Sequence, residues 1–208
     1  MSENHAVKAV IFDMGGVILR TMDMRPRVEL ARRYGVTPAE LDRIVFHNAV
    51  AEAAEHGQAS PQDVWREVGR LLNAPETALD EIARQFFAGD RMDMRLVQYI
   101  RGLRPGYTTA LLSNTWMADL SGWLREKWQV PEDTFDQVIS SAYYHLAKPD
   151  PRFYRLALEL VDAAPDETLF VDDTLVNLAG AEAVGIRAIH FRDTAETIAA
   201  IQENLEKN

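Results

Sequence analysis

The sequence predicts an α/β protein, an open parallel sheet interrupted once, near its start, by an α-helical insertion. Three observations carry that prediction. Five short apolar runs are continuous rather than alternating, as in strands covered by helices on both faces. Helix-period patterns separate most of them, the order expected of a parallel sheet. The interval from roughly Thr21 to Arg91, between the first two runs, contains helix signals and no good strand.

The first strand is Val7 to Phe12, and it ends in Asp13-Met14-Gly15-Gly16. In the interval that follows, Thr37-Pro38-Ala39-Glu40 and Ser60-Pro61-Gln62-Asp63 each place a capping hydroxyl, a proline at the first helical position and an acid at the third. Behind those caps, Leu41, Ile44 and Val45, then Val64, Trp65, Val68, Leu71 and Leu72, recur at helical spacing. About two to four helices are expected there, forming an α-helical subdomain over residues 21–91, with the sheet domain assembled from 1–20 and 92–208. The second strand, Thr108 to Leu112, runs into Ser113-Asn114-Thr115, and the third, Gln137 to Ser141, is followed by Ala147-Lys148-Pro149-Asp150. Asp150 reads as the N-cap of a helix from Pro151 to Leu160. The fourth strand, Thr168 to Val171, ends in Asp172-Asp173, and the fifth is Arg187 to Phe191. Glu203 to Asn208 reads as a frayed helix end.

With 208 residues, 47% of them apolar, the chain can bury a full core and still support an insertion. A net charge of -10 disfavours nucleic acid or an anionic membrane as the main partner, although a local site can still oppose the global charge. The absence of cysteine excludes disulfides, thiolate catalysis and zinc-thiolate sites. Met1 to His5 is polar and lacks the pattern of a secretion signal, and no apolar run approaches membrane-spanning length, so a cytoplasmic location is expected. Oligomeric state leaves no legible signal.

Ligands of open parallel sheets bind beyond the carboxyl ends of the strands, so the strand ends are read together. They deliver Asp13, Asp172, Asp173, Ser113, Asn114 and Lys148 to one edge. Adjacent acids after an apolar strand repel each other unless a cation or hydrogen-bond donors lie nearby, which favours a metal at Asp172-Asp173. Mg²⁺ wants oxygen ligands, and Asp13 with one or both of the paired acids can supply them. Asp13 could then attack phosphorus to form an aspartyl-phosphate that water hydrolyses. Lys148 would balance charge, while Ser113, Asn114 and the N–H groups of the glycine turn, Met14 to Gly16, would hold phosphate oxygens.

In order and at strand ends, these residues resemble the four motifs of the haloacid dehalogenase superfamily. Phe12-Asp13-Met14-Gly15-Gly16-Val17 is similar to motif one, Leu112-Ser113-Asn114-Thr115 to motif two, Lys148-Pro149 to motif three and Phe170-Val171-Asp172-Asp173 to motif four. Val176-Asn177-Leu178-Ala179-Gly180-Ala181 resembles the helix after it. The resemblance implies a Rossmann-like core with a helical cap, catalysis by Asp13 and Lys148, and Mg²⁺ held by Asp13, the Gly15 carbonyl, Asp172 and Asp173. It implies phosphate contacts from Met14, Gly15, Ser113, Asn114 and Lys148. Within the superfamily the likeness is greatest to the branch of α-D-glucose-1-phosphate phosphatase and the N-terminal phosphatase domain of soluble epoxide hydrolase. The expected function is a magnesium-dependent phosphatase of small phosphorylated metabolites, sugar phosphates among them. The alternatives are a metal-independent 2-haloacid dehalogenase and a catalytically weakened regulatory protein that binds phosphometabolites.

The chain departs from the family pattern in one respect. Most phosphatases of the superfamily carry a second aspartate two residues after the nucleophile to protonate the leaving group, and here that residue is Gly15. The expectation is a preference for leaving groups that need little protonation, an acid borrowed from the insertion, or slow turnover. His47 is a candidate donor there, His56 a candidate substrate contact, Arg20 a candidate anion contact, and Trp116 a residue for core packing or for stacking on substrate.

Overall fold

The computed structural model describes residues 6–206. Met1 to His5, where a secretion signal was sought, and the last two residues of the expected frayed end lie outside them. A five-stranded parallel sheet forms the frame. Its strands are β1 (Ala9–Phe12), β4 (Thr108–Ser113), β5 (Gln137–Ser140), β6 (Thr168–Asp172) and β7 (Arg187–His190), each within about a residue or two of its expected place. The spatial order is β5-β4-β1-β6-β7. From the central β1 the chain therefore builds outward on one side, then returns to build the other, and the reversal opens a crevice at the strand ends.

Two further strands, β2 (Leu19–Thr21) and β3 (Asp90–Met92), pair antiparallel as a separate ribbon. Sequence periodicity did not reveal them, because three half-exposed residues carry no readable alternation. Between them lie α1 (Arg25–Arg33), α2 (Pro38–Phe46), α3 (Ala49–Glu55), α4 (Pro61–Leu71) and α5 (Leu79–Phe86). These five α-helices exceed the two to four expected. The caps of α2 and α4 form as predicted, with reciprocal Thr37–Glu40 and Ser60–Asp63 capping boxes. Helix α1 was illegible because Met24, at its N-cap, offers no capping side chain.

The sheet carries α6 (Met94–Leu103), α7 (Leu120–Trp128), α8 (Ser141–Tyr144), α9 (Pro151–Val161), α10 (Leu175–Glu182) and α11 (Thr194–Glu206). Helix α11 continues to Glu206, through most of the segment expected to fray. Alternate residues of each strand point to opposite faces. Val10, Phe12, Leu111, Leu169 and Val171 pack with Leu96, Ile100, Leu124 and Ile201, while Ile11, Leu112, Ile139 and Phe170 pack with Phe153, Tyr154, Ala157 and Leu178. The insertion has a core of its own, built around Leu30, Leu41, Val45, Val64, Val68, Ile82 and Phe86. Trp116, from the segment after β4, packs against it through Phe46 and Trp65, at ring-centroid distances of 5.8 and 6.2 Å. Among the described residues, no helix is long and apolar enough to cross a membrane.

Candidate active site

Sheet register places the acids. Phe12 pairs with Val171 across β1 and β6, so the next residues, Asp13 and Asp172, emerge side by side. The Asp13 N–H extends the ladder by donating to the Val171 carbonyl at 2.8 Å. On the other side Phe12 pairs with Leu111, which sets Ser113 just beyond, fully buried. The chain then turns sharply, with the N–H groups of Ile18 and Leu19 both donating to the Met14 carbonyl. Gly16 lies at φ +78°, and a Cβ there would stand 2.0 Å from Asp173 Oδ2, so both conformation and space demand glycine. Gly15 is different, since a Cβ added to it meets nothing within 4 Å.

Lys148 Nζ donates to Asp13 Oδ1 at 2.5 Å and to Asp172 Oδ2 at 2.7 Å, with all three side chains buried. Three oxygens, one each from Asp13, Asp172 and Asp173, lie within 4.8 Å of one another. Burial pushes the Asp13 carboxyl up to about 6, with Lys148 pulling it down and Asp172 adding to the rise. Burial opposes the charge on Lys148, yet the two aspartates beside it raise its pKa. Asp173 is raised first by burial and then by Asp172. Two buried carboxylates and the exposed one of Asp173 thus gather around one ammonium, and the excess negative charge suits a hard cation. The donor set, all oxygen without sulfur or imidazole, fits magnesium.

Asp172 is held from behind. The Thr174 N–H donates to Oδ1 at 2.8 Å, and Asn177 Nδ2 lies 3.2 and 3.1 Å from its two oxygens. Tyr154 donates its hydroxyl to the Asn177 carbonyl at 2.7 Å, tying α9 to α10 beneath the site. In the sequence Asn177 reads only as part of a family motif. Its signal was a polar side chain one helical turn beyond a paired acid.

Asn114 takes a different place from the one expected. Its side chain clamps the Lys148 backbone, with Nδ2 donating to the carbonyl at 2.9 Å and Oδ1 accepting from the N–H at 2.8 Å. It is a positioning residue for Lys148. Nor is the whole glycine turn free to bind phosphate, because the Gly16 N–H donates to the Leu19 carbonyl at 3.0 Å. Met14 is buried, and its N–H favours the charged form of Asp13. Asp150 caps α9 as expected, accepting from the Arg152 N–H at 2.8 Å.

The remaining candidates separate. Arg20 does not reach the strand-end cluster but pairs with Asp93 at the foot of the β2–β3 ribbon, where Thr194 joins both. His47 lines a cleft of about 390 Å³ walled by insertion residues such as Glu40, Arg43 and Glu67, away from the acids. His56 caps α3, and its carbonyl accepts from His145 Nδ1 at 2.7 Å, a contact that joins the insertion to the sheet domain.

Known proteins are similar to this chain. The profile of the haloacid dehalogenase-like hydrolases matches residues 7–185. A sesquiterpene phosphatase of Aspergillus oryzae is 31% identical over 200 residues, spanning 94% of this chain and 95% of that protein. A D-ribitol-5-phosphate phosphatase of Bacteroides thetaiotaomicron is 27% identical over 199 residues, covering 91% of this chain and 94% of its own length. An enzyme of that fold solved from the same bacterium, with magnesium and inorganic phosphate, superposes with a TM-score of 0.72 at 21% identity, over 92% of this chain and 99% of that one.

Proposed function

The chain belongs to the haloacid dehalogenase-like hydrolases, and on that premise we propose that it is a magnesium-dependent phosphatase of small phosphorylated molecules with Asp13 as nucleophile. One observation supports this most directly, the cluster in which Asp13, Asp172 and Asp173 converge within 4.8 Å while Lys148 bridges the first two. The Asp13, Asp172 and Asp173 carboxylates, with the Gly15 carbonyl, would hold the metal. Bound there, it would lower the repulsion between an anionic phosphate and the carboxylates.

Asp13 attacks phosphorus in line with the departing oxygen, and water later cleaves the aspartyl-phosphate. Lys148, fixed by Asn114, keeps Asp13 ionised and presents positive charge to the phosphoryl oxygens. The buried Ser113 hydroxyl would donate to one of those oxygens. The insertion, residues 21–91, serves as a cap that excludes water and reads the leaving group. Carbon–halogen cleavage uses the same nucleophile without a metal, and the packing of three carboxylates around Asp13 speaks against it.

Two relatives that span the chain act on a sesquiterpene and on D-ribitol 5-phosphate by their names, so prenyl and polyol phosphates belong beside sugar, nucleotide and acyl phosphates in a substrate screen. Release of phosphate that requires Mg²⁺ and disappears in Asp13→Asn supports the reading. Full activity on 2-haloacids in a chelator would replace it with the dehalogenase.

A further inference from the structure

Gly15 leaves the departing oxygen without the usual proton donor, and a replacement acid has to come from elsewhere in the chain. Glu55 is the last residue of α3, the helix whose end rests on the sheet domain. Gly57, at φ +67°, brings the chain so close that a Cβ there would stand 2.3 Å from the Ala142 carbonyl and 2.6 Å from His145 Nδ1. With His145 donating to the His56 carbonyl, the end of α3 is clasped to the segment that leads, three residues later, to Lys148. Among the described residues Glu55 makes no hydrogen bond or ion pair, although it is half-buried.

Such a carboxylate is unfavourable as an anion on three counts. It is partly desolvated, it lacks donors, and it sits at the C-terminal end of a helix, where the dipole repels negative charge. Burial raises its pKa above the usual carboxylate value, against His56 and the Lys148 ammonium, which lower it, and with Glu52 adding to the rise. His56 and Glu52 act from α3 itself, while Lys148 acts from the sheet domain, where His145 also packs against this turn. Glu55 lies two residues before Gly57, the point at which the insertion meets the segment leading to Lys148.

We infer that Glu55, carried by the insertion, is the proton donor to the leaving group, in place of the acid absent at Gly15. This rests on the phosphatase reading above and adds a catalytic residue to it. As the bond from Asp13 oxygen to phosphorus forms, the bond from phosphorus to the leaving oxygen breaks. That oxygen keeps the electron pair and takes the proton from Glu55. In the second step the Glu55 carboxylate removes a proton from water as the water oxygen bonds to phosphorus. The bond from Asp13 oxygen to phosphorus breaks with its electron pair returning to Asp13, which restores the Asp13 carboxylate and the protonated Glu55. Closure of the insertion is then a chemical requirement as well as a means of selecting substrate.

The test compares Glu55→Gln with the unmodified full chain, in magnesium, on alkyl and aryl phosphates of graded leaving-group acidity. The expected result is a loss of about a hundred- to ten-thousand-fold on alkyl phosphates. The loss on aryl phosphates is expected to be at least about tenfold smaller, because their oxygen needs less protonation. The alkaline limb of the alkyl-phosphate pH–rate profile should vanish with it, and the melting temperature should not fall, since a neutral amide suits the site at least as well. Equal losses across the series, an unchanged alkaline limb, or a loss that tracks unfolding would overturn the inference. If the unmodified chain turns over no phosphate ester at all, the phosphatase reading fails and takes this inference with it.

Discussion

Each part of the molecule contains a buried cluster of opposite charges, and the two are satisfied to different degrees. In the insertion, Arg27 donates to the Phe86 carbonyl, to Asp42 and to both oxygens of Asp90, all at 3.1 to 3.3 Å, and its guanidinium lies 4.1 Å over the Phe86 ring. Every face of that cation has a partner, and the cluster ties α1 to α2, to the end of α5 and to β3. At the strand ends, by contrast, a single lysine bridges two buried carboxylates while a third, the exposed Asp173, crowds them. The first arrangement holds a shape. The second keeps charge unsatisfied, which is what a site for a cation and a transferring phosphoryl group requires.

Substitutions at the two clusters should therefore separate stability from activity. The largest effect is expected from Asp13→Asn, which should abolish turnover by about four orders of magnitude or more while leaving the far-ultraviolet spectrum unchanged. Arg27→Met should do the opposite, costing about 3 to 5 kcal/mol in urea unfolding because Asp90 is left buried without its cation, with the Thr21 hydroxyl as its remaining donor. Turnover per folded molecule should stay close to that of the unmodified chain. A large fall in turnover for the folded fraction would show that the two clusters are not independent.

The third expectation concerns pH. Asp13 ionises near 3.8 when unfolded and about 6 when folded, so its contribution to stability is fully present below pH 3.8 and is lost as pH rises through 6. In chelator, Asp13→Asn should gain on the unmodified chain across that window, reaching at most about 3 kcal/mol by pH 8. A difference that stayed flat with pH would show that Lys148 fully offsets the strain. The smallest effect is expected at Gly15, where open space admits a side chain. Gly15→Asp should speed alkyl phosphates relative to aryl ones by about tenfold, the lower part of what a positioned acid contributes. An equal change on both would count against protonation as the limiting need.

Much of the sheet domain was legible because its physics is local. Runs such as Ala9 to Phe12 and Thr168 to Val171 are apolar on both faces, and a parallel sheet delivers whatever follows them to one edge, so Asp13, Asp172 and Asp173 converge without further information. The illegible features depend on pairings distant in sequence. Asn114 meets Lys148 across 34 residues, and nothing in either segment announces it. The β2–β3 ribbon joins two three-residue segments some seventy positions apart. Glu55 carries no legible role in the sequence for the same reason, since it is the contact of His145 with His56, 89 positions apart, that sets the end of α3 against the sheet domain.

The ribbon has a consequence for how such a chain can change over evolutionary time. Thr21 and Asp90 face each other across it, so the polypeptide leaves the sheet domain and re-enters it at nearly the same point. Everything between them is a detour that begins and ends at one doorway. Helices can be lengthened, traded or redrawn in that detour without shifting a strand, and the nucleophile stays in place throughout. The strand-end acids and most of the insertion are thereby stored in separate stretches of sequence, free to diverge at different rates, with the Glu55 turn the part where the two meet.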